Sequence, residues 1–206
     1  MGIYVSYPYW SPIDSPALAQ SSSTIFDLIK KRDILVHHPF ESFQTSVERF
    51  IKEASQDPNV VAIKMTIYRT GEDSPFIPYL IRAAEAGKQV ACLVELQARF
   101  DEERNIQAAQ ALEKAGVHVV YGIKGLKTHS KLALVVRREN EEMASYVHIG
   151  TGNYHAKTSL LYTDLRFFTA DRGIVGDVVN LFHHLTGKSL RWYFEKLLIA
   201  PIDMRS

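Results

Sequence analysis

Cysteine is all but missing from this chain. Cys92 is the single one in 206 residues, which excludes an intrachain disulfide framework. Its setting, Gln89-Val90-Ala91-Cys92-Leu93-Val94, points to a buried apolar thiol rather than a reactive one. Charge of one sign is missing too: Lys and Arg total 24 against 23 Asp and Glu, a formal net charge of +1. There is no global basic field for nucleic acid and no acidic one for cationic partners, so any anion site must be local. No apolar run approaches the ~20 residues that span a bilayer, and Met1 to Trp10 carry no signal-peptide core. No His, Cys and Asp set has zinc spacing, and no internal repeat or low-complexity tract stands out. These absences fit a soluble protein of a reducing, cytosolic compartment.

What is present is enough for one sizeable core: 46% of the residues are hydrophobic and 23% charged. Residues 1–27 hold three prolines and a Ser21-Ser22-Ser23-Thr24 run and are expected to connect from a preceding region. Residues 28–190 are expected to form the domain, and 191–206, basic and aromatic at first, a tail leading towards a further domain. The chain is therefore expected to be a piece of a longer one. Ser42 can cap a helix whose apolar positions Val47, Phe50, Ile51 and Ala54 repeat at three and four residues, ending before Asp57-Pro58. A β-branched strand over 60–69 follows, then a helix over 75–86 stopped by Gly87, a strand over 89–95, a helix over 101–115 closed by Gly116, and a strand over 117–121. That alternation predicts an α/β fold with a sheet covered by helices. Strands over 131–137 and 145–149, joined by a charged turn, predict an antiparallel pair. A strand over 164–169 and a helix over 171–185 complete the pattern.

Two loops carry residues suited to phosphate chemistry. Gly122-Ile123-Lys124-Gly125-Leu126-Lys127-Thr128-His129-Ser130-Lys131 places two glycines, three lysines and a histidine between predicted strands, where sheet proteins hold ligands. With strand geometry from Thr128 onward, His129 and Lys131 project to one face. A neutral imidazole offers a lone pair near neutral pH, and an ammonium can offset charge on a phosphoryl group. Two readings fit these residues alone, an active-site loop and a polar surface loop. The second loop, Gly150-Thr151-Gly152-Asn153-Tyr154-His155-Ala156-Lys157-Thr158, is either a phosphate cradle or a plain glycine turn. His-x-Lys with an asparagine about twenty residues on resembles the phospholipase D arrangement. The chain departs from it in having Val136 where that signature has aspartate, and in having one His-x-Lys where that superfamily's active site takes a histidine from each of two halves. His37-His38 before Pro39 and His183-His184 on the last helix read as packing residues, while His155 is ambiguous.

Taken together, Ile67-Tyr68-Arg69, Glu95-Leu96-Gln97-Ala98-Arg99-Phe100-Asp101-Glu102-Glu103, Gly125 to Lys131, His148-Ile149-Gly150-Thr151-Gly152-Asn153 and Leu161-Tyr162-Thr163-Asp164 closely resemble the polyphosphate kinases built on phospholipase D-like domains. Asp33 to Phe40 fits the beginning of that domain. The resemblance implies a phospholipase D-like mixed sheet flanked by helices on both faces. It also implies a reversible transfer of the terminal phosphate of ATP to inorganic polyphosphate through a phosphohistidine, with magnesium. By motif position His129 is the nucleophile, Arg69 and Arg99 match the magnesium sites, and Tyr162 a nucleotide contact. A guanidinium has no lone pair to give a metal, so the two arginines are read as phosphate clamps, with Lys127 and Asn153 as further phosphate binders and Lys131 as the catalytic cation. With Val136 in place of the aspartate, Asp164 is expected to orient His129, with Glu95 as the other choice. The resemblance further implies partners: ATP, polyphosphate, the remaining domains of a longer enzyme and homo-oligomerisation, with no nucleic acid expected. Three other readings remain, a phospholipase D-type phosphodiesterase half, a non-catalytic polyanion-binding module and a purely structural domain.

Overall fold

Local signals set most of the elements, and the computed structural model describes them over residues 11–19, 22–68, 74–95, 102–122, 128–187 and 193–200. Helix α1 (Ile25–Lys31) begins at Thr24, whose hydroxyl accepts from the Asp27 amide while the Asp27 carboxylate accepts from the Thr24 amide. Strand β1 (Ile34–His38) buries Ile34, Val36 and His38 and exposes Leu35. A π-helical turn (Gln44–Glu48) leads into α2 (Arg49–Gln56), and Ser42 accepts from the Thr45 amide at its start, 3.3 Å. There follow β2 (Val60–Ile67), α3 (Phe76–Glu85), β3 (Gln89–Val94), α4 (Glu102–Lys114), β4 (His118–Tyr121), β5 (Lys131–Glu139), β6 (Glu142–Gly150), α5 (Ala156–Ser159), β7 (Asp164–Thr169) and α6 (Arg172–Leu185). Gly87 and Gly116 close their helices at φ +81° and +84°, a conformation that favours glycine.

The strands form one sheet in the order β1-β7-β6-β5-β2-β3-β4. β2, β3 and β4 are parallel, and every other pair is antiparallel. The expected antiparallel pair is β5 and β6, but its turn is tighter than the charged run suggested: Asn140 and Glu141 alone take positive φ, 47° and 70°, a two-residue hairpin turn. α1, β1 and α5 are strand or α-helical elements that apolar spacing did not predict.

One sheet face packs against α1 to α4 through residues such as Phe26, Phe50, Leu80, Ile63, Met65 and Phe168. The other lies under α6, where Leu132, Leu134 and Val147 meet Val178, Leu181 and Phe182. Cys92 is buried as expected, and burial pushes its thiol up to about 12. The first described stretch is fastened to the domain: Ile13 bridges Glu41, Leu18 is buried, and the Arg49 guanidinium donates to the carbonyls of Leu18 and Ser23, 2.8 Å each. At the other end the Asp177 carboxylate accepts from the amides of Glu195, Lys196 and Leu197. Among the described residues no helix is long and apolar enough to cross a membrane.

The core contains two histidines held neutral. His148 lies among Phe50, Phe168 and Tyr154, and burial holds its pKa well below the ordinary value, with Arg166 and His38 adding to the effect. His38 is lowered chiefly by burial and donates from Nδ1 to the Glu41 carbonyl, 2.7 Å. The unfolded chain binds protons at these histidines near pH 6.5 and the folded chain does not. Stability is therefore complete above that pH and is lost as pH falls towards the folded-state values, at up to about 1.4 kcal/mol per unit for each group. Urea unfolding at pH 7.5 and 5.5 is expected to differ by about 2 kcal/mol, and His148→Gln should flatten that dependence. Equal stabilities at the two pH values would contradict the buried neutral pair.

Candidate active site

The topology brings the ends of all seven strands that matter to the candidate residues onto one edge. β1, β2, β3, β4 and β6 leave the sheet there, and β5 and β7, running the other way, enter it. His129 thus arrives beside the exit of β2, because β5 pairs antiparallel with β2.

Main-chain contacts fix that arrival. The Thr66 hydroxyl donates to the Ser130 carbonyl, 2.8 Å, and accepts from the Leu132 amide, 3.0 Å, gripping the chain on both sides of Lys131. Glu95, just past β3 and only 4% exposed, accepts from the Thr128 amide at 2.9 Å. Its Oε2 lies 2.9 Å from where a Cβ on Gly122 would stand, so a bare glycine suits that approach. The buried Asn105 carboxamide of α4 donates to the carbonyls of Tyr68, 3.0 Å, and Glu95, 2.9 Å, tying the exits of β2 and β3 together.

On this frame the His129 imidazole is exposed. Its ring meets that of Tyr68 edge-on, with centroids 5.2 Å apart and planes at 73°. The Lys131 side chain is 4% exposed, its ammonium lies 5.1 Å from the Tyr68 ring centroid, and it donates to the His129 carbonyl. Partial burial, then the Lys131 charge, lowers the His129 pKa below its ordinary value. At neutral pH the ring is therefore uncharged with a lone pair available, beside a fixed positive charge.

The second loop meets the same edge, since Gly150 at the end of β6 pairs with Lys131. Thr151 donates its hydroxyl to Asp164, 2.8 Å, and accepts from the Leu165 amide, 3.0 Å. Arg166, fully buried, donates to the carbonyls of Gly152 and Asn153, the latter at 2.9 Å, with its guanidinium near the rings of Phe43 and Tyr154. The Asn153 carbonyl oxygen of the side chain is buried without a hydrogen-bond partner among the described residues. Tyr162 is 64% exposed in the turn before β7.

The edge thus brings together His129, Lys131 and the loop of Asn153, with Tyr162 at the same edge but before β7, two strands from β5. It does not join Asp164 to His129. β6 stands between β7 and β5, the Asp164 carboxylate is engaged by Thr151, and neither ring nitrogen of His129 has a hydrogen-bond partner among the described residues. Glu95, the other expected orienting group, holds the main chain one residue before His129. Arg69, Arg99 and Lys127 lie outside the described residues. Tyr68 and Thr128, which stand next to Arg69 and Lys127 in sequence, are at this edge. Among the described residues no group of three or more His, Cys, Asp or Glu side chains could hold a metal, and a guanidinium has no lone pair to give one. The described donors at this edge fit an anion. Two cavities open at the opposite edge, one of about 630 Å³ around Glu139, Glu142 and Met143 and one of about 730 Å³ around Val60, Lys88 and Met143, and neither is lined by a candidate residue.

Sequence reasoning missed Thr66, Asn105 and Arg166, and assigned Tyr68 no role. For Arg166 a signal existed, because period two places it in phase with the buried Phe168. For Asn105, a polar position on an amphipathic helix, there was none.

Residues 24–191 match the family model described as polyphosphate kinase C-terminal domain 1. The chain belongs to this polyphosphate kinase family. It is 56% identical over 194 residues to a polyphosphate kinase of Parasynechococcus marenigrum, covering 94% of this chain and 27% of that protein. It is 54% identical over 201 residues to a polyphosphate kinase of Mycobacterium avium, covering 97% and 28%. The chain therefore spans little more than a quarter of the polyphosphate kinases it matches. The crystal structure of the Porphyromonas gingivalis polyphosphate kinase superposes with a TM-score of 0.79 at 36% identity, over 91% of this chain and 31% of that one. Nuc from Salmonella typhimurium, a phospholipase D family member, superposes with a TM-score of 0.57 at 12% identity, over 79% of this chain and 98% of that one. At that identity the likeness shows the fold alone, and it bears out the expected phospholipase D-like mixed sheet with helices on both faces.

Proposed function

We propose that this chain is the nucleophile-bearing part of a polyphosphate kinase, in which His129 takes the terminal phosphate of ATP and passes it reversibly to inorganic polyphosphate. The observation that carries the reading is the exposed imidazole of His129 beside the buried Lys131 at the converging sheet edge. The imidazole lone pair forms an N–P bond to the γ-phosphorus as the bond from that phosphorus to the β,γ-bridging oxygen breaks, and ADP leaves with the electron pair. The proton on the other ring nitrogen is released to solvent. A terminal oxygen of polyphosphate then attacks the same phosphorus as the N–P bond breaks; the ring nitrogen leaves with the electron pair, and the imidazole regains its one proton from solvent. Lys131 offsets charge on the phosphoryl oxygens throughout. Arg69, Arg99, Lys127 and Asn153 are proposed to hold the flanking phosphates, and Tyr162 the nucleotide. Magnesium, if it enters with ATP, would offset phosphate charge during transfer, and Arg69 and Arg99 are proposed to act as phosphate clamps and not as its ligands.

The chain's share of its relatives' length supports a further statement: the rest of a longer enzyme supplies the opposing half of the site. The isolated chain is expected to bind polyphosphate and nucleotide weakly and to make little polymer, and robust synthesis by it would contradict this. Incubation with γ-labelled ATP separates the kinase reading from a phosphodiesterase half, a polyanion-binding module and a structural domain. Label stable to base, labile to acid and absent in His129→Ala is expected. Stable ATP binding without transfer would favour the binding module, and phosphodiester cleavage the phosphodiesterase.

A further inference from the structure

Tyr68 is the first residue past β2, and its main chain cannot drift, because Asn105 holds its carbonyl at 3.0 Å. Two residues earlier on the same strand, Thr66 holds the backbone on both sides of Lys131. β2 therefore grips the incoming β5 twice, by its main chain through Thr66 and by its side chains through the Tyr68 ring. That ring has both functional side chains as neighbours: the His129 ring edge-on at 5.2 Å and the Lys131 ammonium at 5.1 Å from its centroid.

We propose that Tyr68 is a positioning residue for phosphoryl transfer, whose aromatic ring fixes the His129 imidazole and the Lys131 ammonium relative to each other so that both meet one phosphate. The inference rests on the reading of His129 as the phosphate acceptor. An ammonium on a side chain only 4% exposed has lost most of its water, and the negative face of an aromatic ring supplies part of what water gave. The same ring prefers an edge-on neighbour to a stacked one, which is the attitude His129 takes. A leucine offers neither interaction, and the ammonium would then lose one of the contacts that hold it beside the imidazole. The ring, and not the hydroxyl, carries this role.

The test uses the 206-residue chain with phosphoramidate, a small anionic phosphoryl donor that transfers to histidine nitrogen with loss of ammonia and needs no ATP site. Phosphorylation of His129, read on its own peptide by mass spectrometry, is expected to fall about tenfold in Tyr68→Leu and to be restored by Tyr68→Phe. Acetylation of Lys131 by acetic anhydride is expected to rise in Tyr68→Leu and to fall back in Tyr68→Phe. Leucine and wild type reacting alike, or phenylalanine reacting as slowly as leucine, would overturn the proposal. Nuclear Overhauser contacts from the Tyr68 ring protons to the His129 ring and the Lys131 ε-methylene are expected in the wild type, and their absence would overturn it whether or not the leucine variant folds. If γ-labelled ATP fails to mark His129 even with the rest of the longer enzyme present while the phosphoramidate pattern holds, the kinase reading falls and the placement by Tyr68 stands.

Discussion

Replacing Lys131 with methionine is expected to slow transfer of the γ-phosphate of ATP to His129 by roughly a hundred- to a thousandfold, the loss typical of removing one preorganised charge from a transition state. Methionine keeps most of the buried volume, so the fold should survive. The ammonium does two things that a thioether cannot. It places a positive charge beside the developing phosphoryl charge, and it helps to hold the imidazole neutral. The second effect gives the variant a distinctive pH dependence. In the wild type, partial burial and Lys131 both lower the His129 pKa, so the rate should be flat near neutrality and fall only at acid pH, as the ring gains its proton. Without the lysine one cause of the lowering is gone, the folded-state pKa rises, and the acid limb moves to higher pH. Initial rates of labelling across pH 5 to 8 give both numbers. A rate loss with an unmoved acid limb would mean that Lys131 does not sit electrostatically beside the imidazole.

Gly152→Ala is expected to damage the second loop and cost about 1–3 kcal/mol of stability, the usual range for forcing atoms into a packed site. A Cβ at that position runs into the Asp164 carboxylate, which holds the Thr151 hydroxyl, and the Gly152 carbonyl is a partner of the buried Arg166. Either Asp164 must release Thr151 or the loop must lift from Arg166, and both move Asn153. Gly176→Ala is the control with the opposite sign: it lies inside α6, nothing comes within 4 Å of its added Cβ, and removing a helical glycine should stabilise by about 0.5–1 kcal/mol. Urea midpoints for the two variants check the contrast, and Gly152→Ala as stable as wild type would show that the loop is not packed as described.

The residues that announced themselves in the sequence did so through spacing. Val47, Phe50, Ile51 and Ala54 predicted α2, and the β-branched run predicted β2, because one buried face imposes its period on the chain. The π-helical first turn was not readable, since apolar spacing says little about which carbonyl an amide chooses. α1 was missed although Thr24 and Asp27 form a legible capping box, because seven residues are too few to establish a period. The charged turn after β5 was read too long for a tertiary reason. Arg138 and Glu139 extend the strand beyond Arg137, with Arg137 bonded to Asp57 at 2.7 Å and Glu139 receiving Arg137, Lys30 and Tyr146, and neither Asp57 nor Lys30 is visible along the local sequence.

The site divides the same way. The alternation of His129 and Lys131 could be read from period two, and the motifs could be matched to a family. What those residues touch depends on which strand lies beside β5, and strand order is not a local property. Pairing with β2 is what sets Tyr68 against both side chains. The separation of Asp164 from His129 by β6 is equally a matter of order, which is why a reasonable orienting carboxylate turned out to serve Thr151.

The most direct test of the converging edge is an amide NMR titration of the chain with tripolyphosphate. Shifts are expected at Tyr68, Glu95, Thr128 to Lys131, Gly150 to Asn153 and Tyr162, with the turn at Asn140 and Glu141 on the opposite edge unmoved. Shifts centred on that opposite edge, or none near His129 at saturation, would contradict the account.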